Sequence, residues 1–228
     1  MNLRYSSGNI LSEDVHKIGI IALGSHLENH GICLPIDTDA KIASYIALEA
    51  SVITGAKFLG VIYSAGEFEY IDHGKHNSYE EVSEEIYNKL AHAKKILDIS
   101  DVIIVNAHGG NTPIKTFLPV ISDELDMNIV FNNYIVENEG PHGGTGEVSI
   151  GSIIGITDET CVHEQSNLDK YGEIGLFKFE EARKIDEGID EGALSVERDG
   201  VTLDTEIGLK LLHESVDAIV KDVNDILG

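Results

Sequence analysis

Residues Lys17–Gly55 read KIGIIALGSHLENHGICLPIDTDAKIASYIALEASVITG. The first part, Lys17–Leu23, is a short, nearly continuous apolar run with isoleucine at 18, 20 and 21, the pattern of a strand buried on both faces. In the last part, Thr38–Gly55, apolar residues recur at three- and four-residue steps, the helical period. Between them, Gly24–Asp39 carries Glu28, His30, Asp37 and Asp39. A soluble chain does not need that density of metal-capable groups to fold.

The same alternation continues outward. Ala56–Ser64, Asp101–Ala107 and Met127–Val136 read as three more strands. Ser78–Leu97, Asn111–Asp126 and Thr205–Leu227 read as helices, with Val82, Ile86, Leu90 and Ala93 forming one apolar stripe. Strand–helix–strand alternation with nearly continuous apolar strands implies an α/β fold, a mainly parallel sheet covered on both faces. No repeat or linker divides it, so one domain over residues 1–228 is expected. Residues 155–200 are acidic, Gly-rich and weakly periodic, and are expected to be solvated loop and short helix, the alternative being an excursion that wraps a neighbour or lines a cleft.

The formal charge is -24 over 228 residues, which argues against nucleic acid or an anionic membrane as partner. No run approaches the roughly 20 apolar residues that span a bilayer, and a cytoplasmic protein is expected. Two cysteines, Cys33 and Cys161, are too few and too far apart for a disulfide framework or a thiolate metal site.

In open α/β sheets, ligands bind beyond the carboxyl ends of the strands. The first strand runs into Gly24–Asp39, the third into NAHGGNTP (Asn106–Pro113), and the fourth is followed by GPHGGTGEVS (Gly140–Ser149). Glu28, His30, Asp39, His108, His142 and Glu147 thus converge on one edge. A carboxylate bridging two cations, with His and carboxylate ligands on either side, activates water between them. Ligands without Cys suit zinc, manganese or ferrous iron. Duller readings stand beside this one. Asp39 could cap a helix, Glu147 could be an ordinary first-turn glutamate, and Asp37 suits a cap. His26, His73, His76 and His163 read as hydrogen-bonded structure, and Cys33 as a small buried side chain. Asn111 reads as the N-cap of the next helix, with Pro113 in its first turn.

These residues resemble the creatininase family of dinuclear metal amidohydrolases, whose pattern is approximately Gly-Ser-x-Glu-Gln-His-Gly, Leu-Pro, Thr-Asp, His-Gly-Gly-Asn and His-Ala-Gly-x-x-Glu-Thr-Ser. Here the blocks are Gly24–Gly31, Leu34-Pro35, Thr38-Asp39, His108–Asn111 and His142–Ser149, in the same order. The resemblance implies a three-layer α/β/α sandwich, two divalent metal ions (Fe2+ or Zn2+, with Mn2+ a further candidate) and a homo-oligomer. Glu28 and His108 would hold one metal and His30 the other, with Asp39 bridging. Glu147 would complete the second site or move a proton, and His142 would sit by the substrate.

The departures narrow the expectation. Creatininases proper carry a glutamate where this chain has Gly110, and tryptophan near the substrate, which this chain lacks. Asn29 in place of Gln, the stretch YSSGNIL (Tyr5–Leu11) and KHNSY (Lys75–Tyr79) are similar to the archaeal branch of the family. That branch removes the formyl group from a formylamino-pyrimidine ribosyl phosphate on the route to riboflavin and deazaflavin. Lys41, Lys57, Lys75 and Lys115 are the candidates for the phosphate. The alternatives are another amidohydrolase of the family, or a metal- or nucleotide-binding protein without turnover.

Overall fold

The structure, a computed structural model, describes residues 14–228. The stretch Tyr5–Leu11 singled out above lies outside the described residues. Four parallel strands, β1 (Ile18–Leu23), β2 (Lys57–Ile62), β3 (Asp101–Asn106) and β4 (Asn128–Asn132), form a sheet in the order β2-β1-β3-β4. The helices are α1 (Thr38–Thr54), α2 (Tyr79–Leu97), α3 (Leu118–Leu125), α4 (Tyr134–Asn138), α5 (Thr145–Ile154), α6 (Val162–Gln165), α7 (Glu180–Ile185), α8 (Glu187–Asp199) and α9 (Thr205–Leu227).

β1 is buried along its whole length because it has neighbours on both edges and helices on both faces. Successive side chains of a strand point to opposite faces. Ile20, Ala22, Ile103 and Val105 therefore join a core with Ile42 and Ile46 of α1 and Leu212 and Ile219 of α9. Ile21, Leu23, Val102 and Ile104 join a second core with Val82, Ile86 and Leu90 of α2 and Leu118 and Ile121 of α3. The result is the expected three-layer α/β/α sandwich. Each fully buried Ile or Leu contributes about 1.5–3 kcal/mol relative to exposure.

Local chemistry marks the element ends. α1 stops at Gly55, whose φ of 86° is in the left-handed region and whose N–H reaches the Ser51 carbonyl. α2 opens with a capping box between Ser78 and Glu81. The Asp204 carboxylate accepts the N–H groups of Glu206 and Ile207 to start α9.

Three expectations need correction. The strand expected over Met127–Val136 ends at Asn132, whose side-chain oxygen accepts the Tyr134 N–H (3.1 Å) and turns the chain into α4. The helix expected over Asn111–Asp126 is a 3-10 stretch, Gly109–Thr116, followed by α3. Asn111 is not its cap: the N-cap position is His108, and Asn111 is buried inside the turn, its amide bonded to Gly66 and Asn106. Residues 155–200 are short helices and turns with many exposed positions, as expected, but they are anchored. Ile174 and Val196 pack with Cys33, Leu34 and Val148 in a third apolar cluster, laying this segment over the strand-end loops. No helix among the described residues is long and apolar enough to cross a membrane.

Candidate metal centre

The turn after β1 brings the start of α1 back onto the strand end. A side chain at Gly24 would stand 2.6 Å from the Asp39 backbone, so only glycine permits this approach. Asp39 therefore lies in the first turn of α1 but does not cap it; its Oδ1 is 2.8 Å from His30 Nε2. Asp37 holds the N-cap position without a side-chain cap bond and pairs instead with Lys41. Glu147 is in the first turn of α5, yet it is buried, accepting the Gly143 N–H (3.0 Å) and lying 3.7 Å from His30.

Three histidines share one arrangement. His30 Nδ1 lies 3.1 Å from the Glu28 carbonyl, His108 Nε2 2.9 Å from the Gly66 carbonyl, and His142 Nε2 2.8 Å from the Asn29 carbonyl. A carbonyl only accepts, so each of these nitrogens donates. In the neutral ring the other nitrogen then offers a lone pair. Those nitrogens all face carboxylates. His30 Nε2 faces Asp39 and Glu147. His108 Nδ1 is 2.9 Å from Glu28 Oε2 and 3.1 Å from Asp39 Oδ2. His142 Nδ1 is 3.4 Å from Glu28 Oε1. This is the way a metal-ligating imidazole is oriented, with its far N–H fixed by an acceptor.

Glu28 Oε2 and Asp39 Oδ2 are both buried and accept no well-directed hydrogen bond. Buried polar atoms are nearly always satisfied, so these two oxygens fit a cation. The donor atoms of His30, Asp39 and Glu147 lie within 4.8 Å of one another, as do those of Glu28, His76 and His108. Imidazole and carboxylate donors without sulfur suit divalent cations of the Mn–Fe–Zn range.

The electrostatics match this crowding. Burial works to raise the Glu28 carboxyl, but His108, with His73 and His76, outweighs it and holds Glu28 well below the usual carboxylate range. Burial works against charge on His30 and His108, yet Asp39 and Glu147 around the first, and Glu28 and Asp39 around the second, push both well above the ordinary histidine value. Glu147 is pushed up to about 7 by burial, with Asp39 and Glu28 adding to the rise and His30 opposing it. His142 goes the other way: burial, then the neighbouring His30, holds it well below the usual value and keeps the ring neutral.

All six residues expected at the strand ends thus meet in one cluster: Glu28, Asp39, His108, His142 and Glu147 line a cleft, and His30 is buried behind Asp39 and Glu147. The structure adds others. His73 and His76, read above as hydrogen-bonded structure, belong to the cluster: His73 Nε2 is 2.5 Å from Glu28 Oε1 and His76 Nε2 is 3.9 Å from Glu28 Oε2. His163, by contrast, is exposed beside Glu164. Glu67 and Glu139 line the cleft, and burial, followed by Glu147, pushes the Glu139 carboxyl well up. Gln165 is fully buried and ties the His30 and Gly143 loops together. The hints of these in the sequence were the close spacing of His73 and His76 and the stretch KHNSY, which contains His76.

The cleft is about 400 Å³ and is walled by Phe68, Ile71, Val136, Leu176 and Ile189. No Lys or Arg is among its described lining residues. Of the lysines considered for phosphate, Lys57 donates to the His16 carbonyl at the opposite end of the sheet, Lys41 pairs with Asp37, and Lys115 lies over the Phe131 ring. Lys75 is exposed on the loop that carries His73 and His76.

The creatininase model, described as creatinine amidohydrolase, matches residues 11–223. A relative from Methanobrevibacter ruminantium, named 2-amino-5-formylamino-6-ribosylaminopyrimidin-4(3H)-one 5'-monophosphate deformylase, is 55% identical over 223 residues, 98% of this chain and 95% of its own length. A relative of the same name from Methanothermobacter marburgensis is 50% identical, covering 100% of this chain and 98% of its own. Among solved structures, a creatinine amidohydrolase (creatininase) superposes with a TM-score of 0.65 at 11% identity over 96% of each chain. A creatininase mutant of Zn-Zn type gives 0.65 at 13% identity, over 99% of this chain and 95% of its own. At such low identity the superpositions speak for the fold, whereas the family match runs through every block that builds the cleft. The chain belongs to the creatininase family.

Proposed function

We propose that this chain hydrolyses the N-formyl group of a formylamino-pyrimidine ribosyl 5'-phosphate, releasing formate and the free aromatic amine. The observation that carries this reading is the near full-length similarity, at 55% identity, to a relative bearing that deformylase name. The cleft supports it independently. Its volume of about 400 Å³ falls in the range of small-molecule sites. Its apolar wall suits a planar pyrimidine, and its floor concentrates His and carboxylate donors.

On this reading Glu28, Asp39 and His108 would hold one divalent cation, and His30, Asp39 and Glu147 would hold the other, with Asp39 common to both sets. When bound, two cations supply Lewis-acid charge and a nucleophilic water near neutral pH. Fe2+, Zn2+ and Mn2+ are the candidates. His142 handles the proton. Its Nε2–H is committed to the Asn29 carbonyl, and its neutral Nδ1 faces the cleft. Nδ1 takes a proton from the attacking water and returns it to the departing amine nitrogen, so that the C–N bond breaks without expelling an amide anion. In the metal-free protein burial pushes Glu147 up to about 7; as a cation ligand it is ionised, which leaves the proton to His142. Lys75, exposed on the loop that carries His73 and His76, is the candidate contact for the phosphate. The family reading also carries a homo-oligomer, a cytoplasmic setting and an early step of archaeal riboflavin and deazaflavin (F420) synthesis.

The test is formate release from the formylamino-pyrimidine ribosyl phosphate, run anaerobically on metal-stripped protein with Fe2+, Mn2+ or Zn2+ added singly. Stoichiometric formate and amine with at least one metal, abolished by chelator, is the expected outcome. Metal-loaded protein that releases no formate with any of the three would overturn the substrate assignment.

A further inference from the structure

Three consecutive residues, Ile174, Gly175 and Leu176, reach the cleft from the segment laid over the strand ends. Ile174 is fully buried, and a Cβ at Gly31 or at Gly143 would stand 2.6 Å or 2.5 Å from its Cδ1. The loops that carry His30 and His142 therefore close on the Ile174 side chain. The Gly175 N–H donates to the His142 carbonyl (2.6 Å). Leu176 then enters the lining of the cleft.

The backbone is strained to put Leu176 there. Among the described residues, the non-glycine positions with positive φ are Asp98, Asp126 and Leu176. Both aspartates are C-caps of helices, α2 and α3, where the left-handed conformation is common. Leu176 has no such role: it ends a three-residue 3-10 turn whose C-cap, Phe177, is right-handed. With Gly175 at φ 60° and Leu176 at φ 53°, two residues in a row are left-handed, and the second is bulky. Such conformations persist only where the surroundings hold them, and they gather at ligand clamps. The Leu176 side chain clusters with Ile71, Ala182, Phe68 and Ile189. It thus stands where the connection after β2 meets residues 174–189, on the wall of the cleft.

We propose that Leu176 is a specificity-determining residue, its side chain forming the apolar surface on which the planar ring of the substrate packs. The left-handed pair lets one short turn hold the His142 carbonyl and present Leu176 to the ring. This rests on the proposed pyrimidine substrate.

The test compares the metal-loaded natural chain with Leu176→Gly and Leu176→Met, using the formylamino-pyrimidine ribosyl phosphate. Glycine suits the left-handed turn and removes the side chain; methionine keeps its volume. Loss of a contact made equally in the ground and transition states raises KM and leaves kcat alone. Leu176→Gly should therefore raise KM by about 10-fold or more, the scale of lost apolar contact in a pocket, with kcat within about threefold. Leu176→Met should stay within about threefold in both. If the glycine variant does not fold, Leu176→Ala carries the same expectation. An unchanged KM would overturn the proposal, and so would a fall in kcat alone, which would mean that Leu176 acts only through His142. A natural chain without turnover would sink the deformylase reading by itself. The same proteins are then compared by calorimetric binding of that compound, where equal affinity in natural and glycine chains, or none in either, would overturn the role of Leu176.

Discussion

The His30 side and the His108 side of the centre are supported in different ways. On the His30 side one residue does most of the holding. Gln165 Nε2 donates to the carbonyls of His30 (2.7 Å) and Gly143 (3.0 Å), and its Oε1 accepts the N–H groups of Ile32 and Cys33. On the His108 side the support is spread over three asparagines. Asn106 donates to the His108 carbonyl and to Asn133, and Asn111 reaches both Asn106 and Gly66. A single support fails all at once, whereas a network of amides loses one bond at a time. Asp39 is the member common to both sides, one oxygen facing each.

Removing that shared member should erase the difference. Asp39→Ala is expected to lose metal from both sides and to lower formate release by at least about 10³-fold, the scale of deleting a charge-stabilising group from a buried site. Metal analysis beside the activity assay checks it. Retention of full metal content would show that the two sides do not depend on Asp39.

A smaller and one-sided effect is expected from Gln165→Ala. Two carbonyls and two N–H groups would lose their partner, and an unsatisfied buried group costs about 1–3 kcal/mol. Partial relaxation should leave the protein folded with a lower melting temperature. Metal affinity should drop by about 10–100-fold, as for other residues that orient ligands. The loss should fall on the cation held by His30 and spare the one held by His108. Equal loss from both would mean that the two sides form one mechanical unit.

The smallest effect sharpens the same contrast through Cys33, which sits in the His30 loop. Burial pushes its thiol up from an ordinary 9.0 to about 12. An acid whose folded value is raised favours the fold while it is neutral. That contribution is complete below the ordinary value and is lost as pH rises through 9 toward 12. At pH 8 a disulfide reagent should therefore label Cys161, which is half-buried, quickly, and Cys33 only slowly. Gln165→Ala should speed the Cys33 reaction, and an unchanged rate would show that the loop does not depend on the glutamine.

Much of this arrangement was legible before any coordinates. The strands were visible because burial on both faces demands continuous β-branched runs, and β1, β2 and β3 fall within one residue or two of the expected spans. The strand-end residues were visible because sheet geometry delivers the carboxyl ends to one edge. What escaped were residues whose placement depends on strand order. Glu67 and His73 lie in an unpatterned connection, and only the pairing of β2 beside β1 carries that connection over Glu28. Gln165 is separated from His30 by 135 positions and has no periodic signal. The 3-10 turn at Gly109–Thr116 escaped because Pro113 and the His108–Asn111 contacts tighten a stretch whose apolar spacing alone is helical.

The absence of Lys and Arg from the described lining of the cleft has a kinetic consequence. Glu28, Asp39, Glu67, Glu139, Glu147 and Asp186 all border it, on a chain whose formal charge is -24. An anionic phosphate ester approaching this surface is slowed by repulsion rather than steered by attraction. Added potassium chloride shortens the reach of that field, to about 10 Å at 0.1 M. Capture of the substrate should therefore quicken as salt rises, so that a rate measured in dilute buffer understates the rate of the same protein in a saltier one.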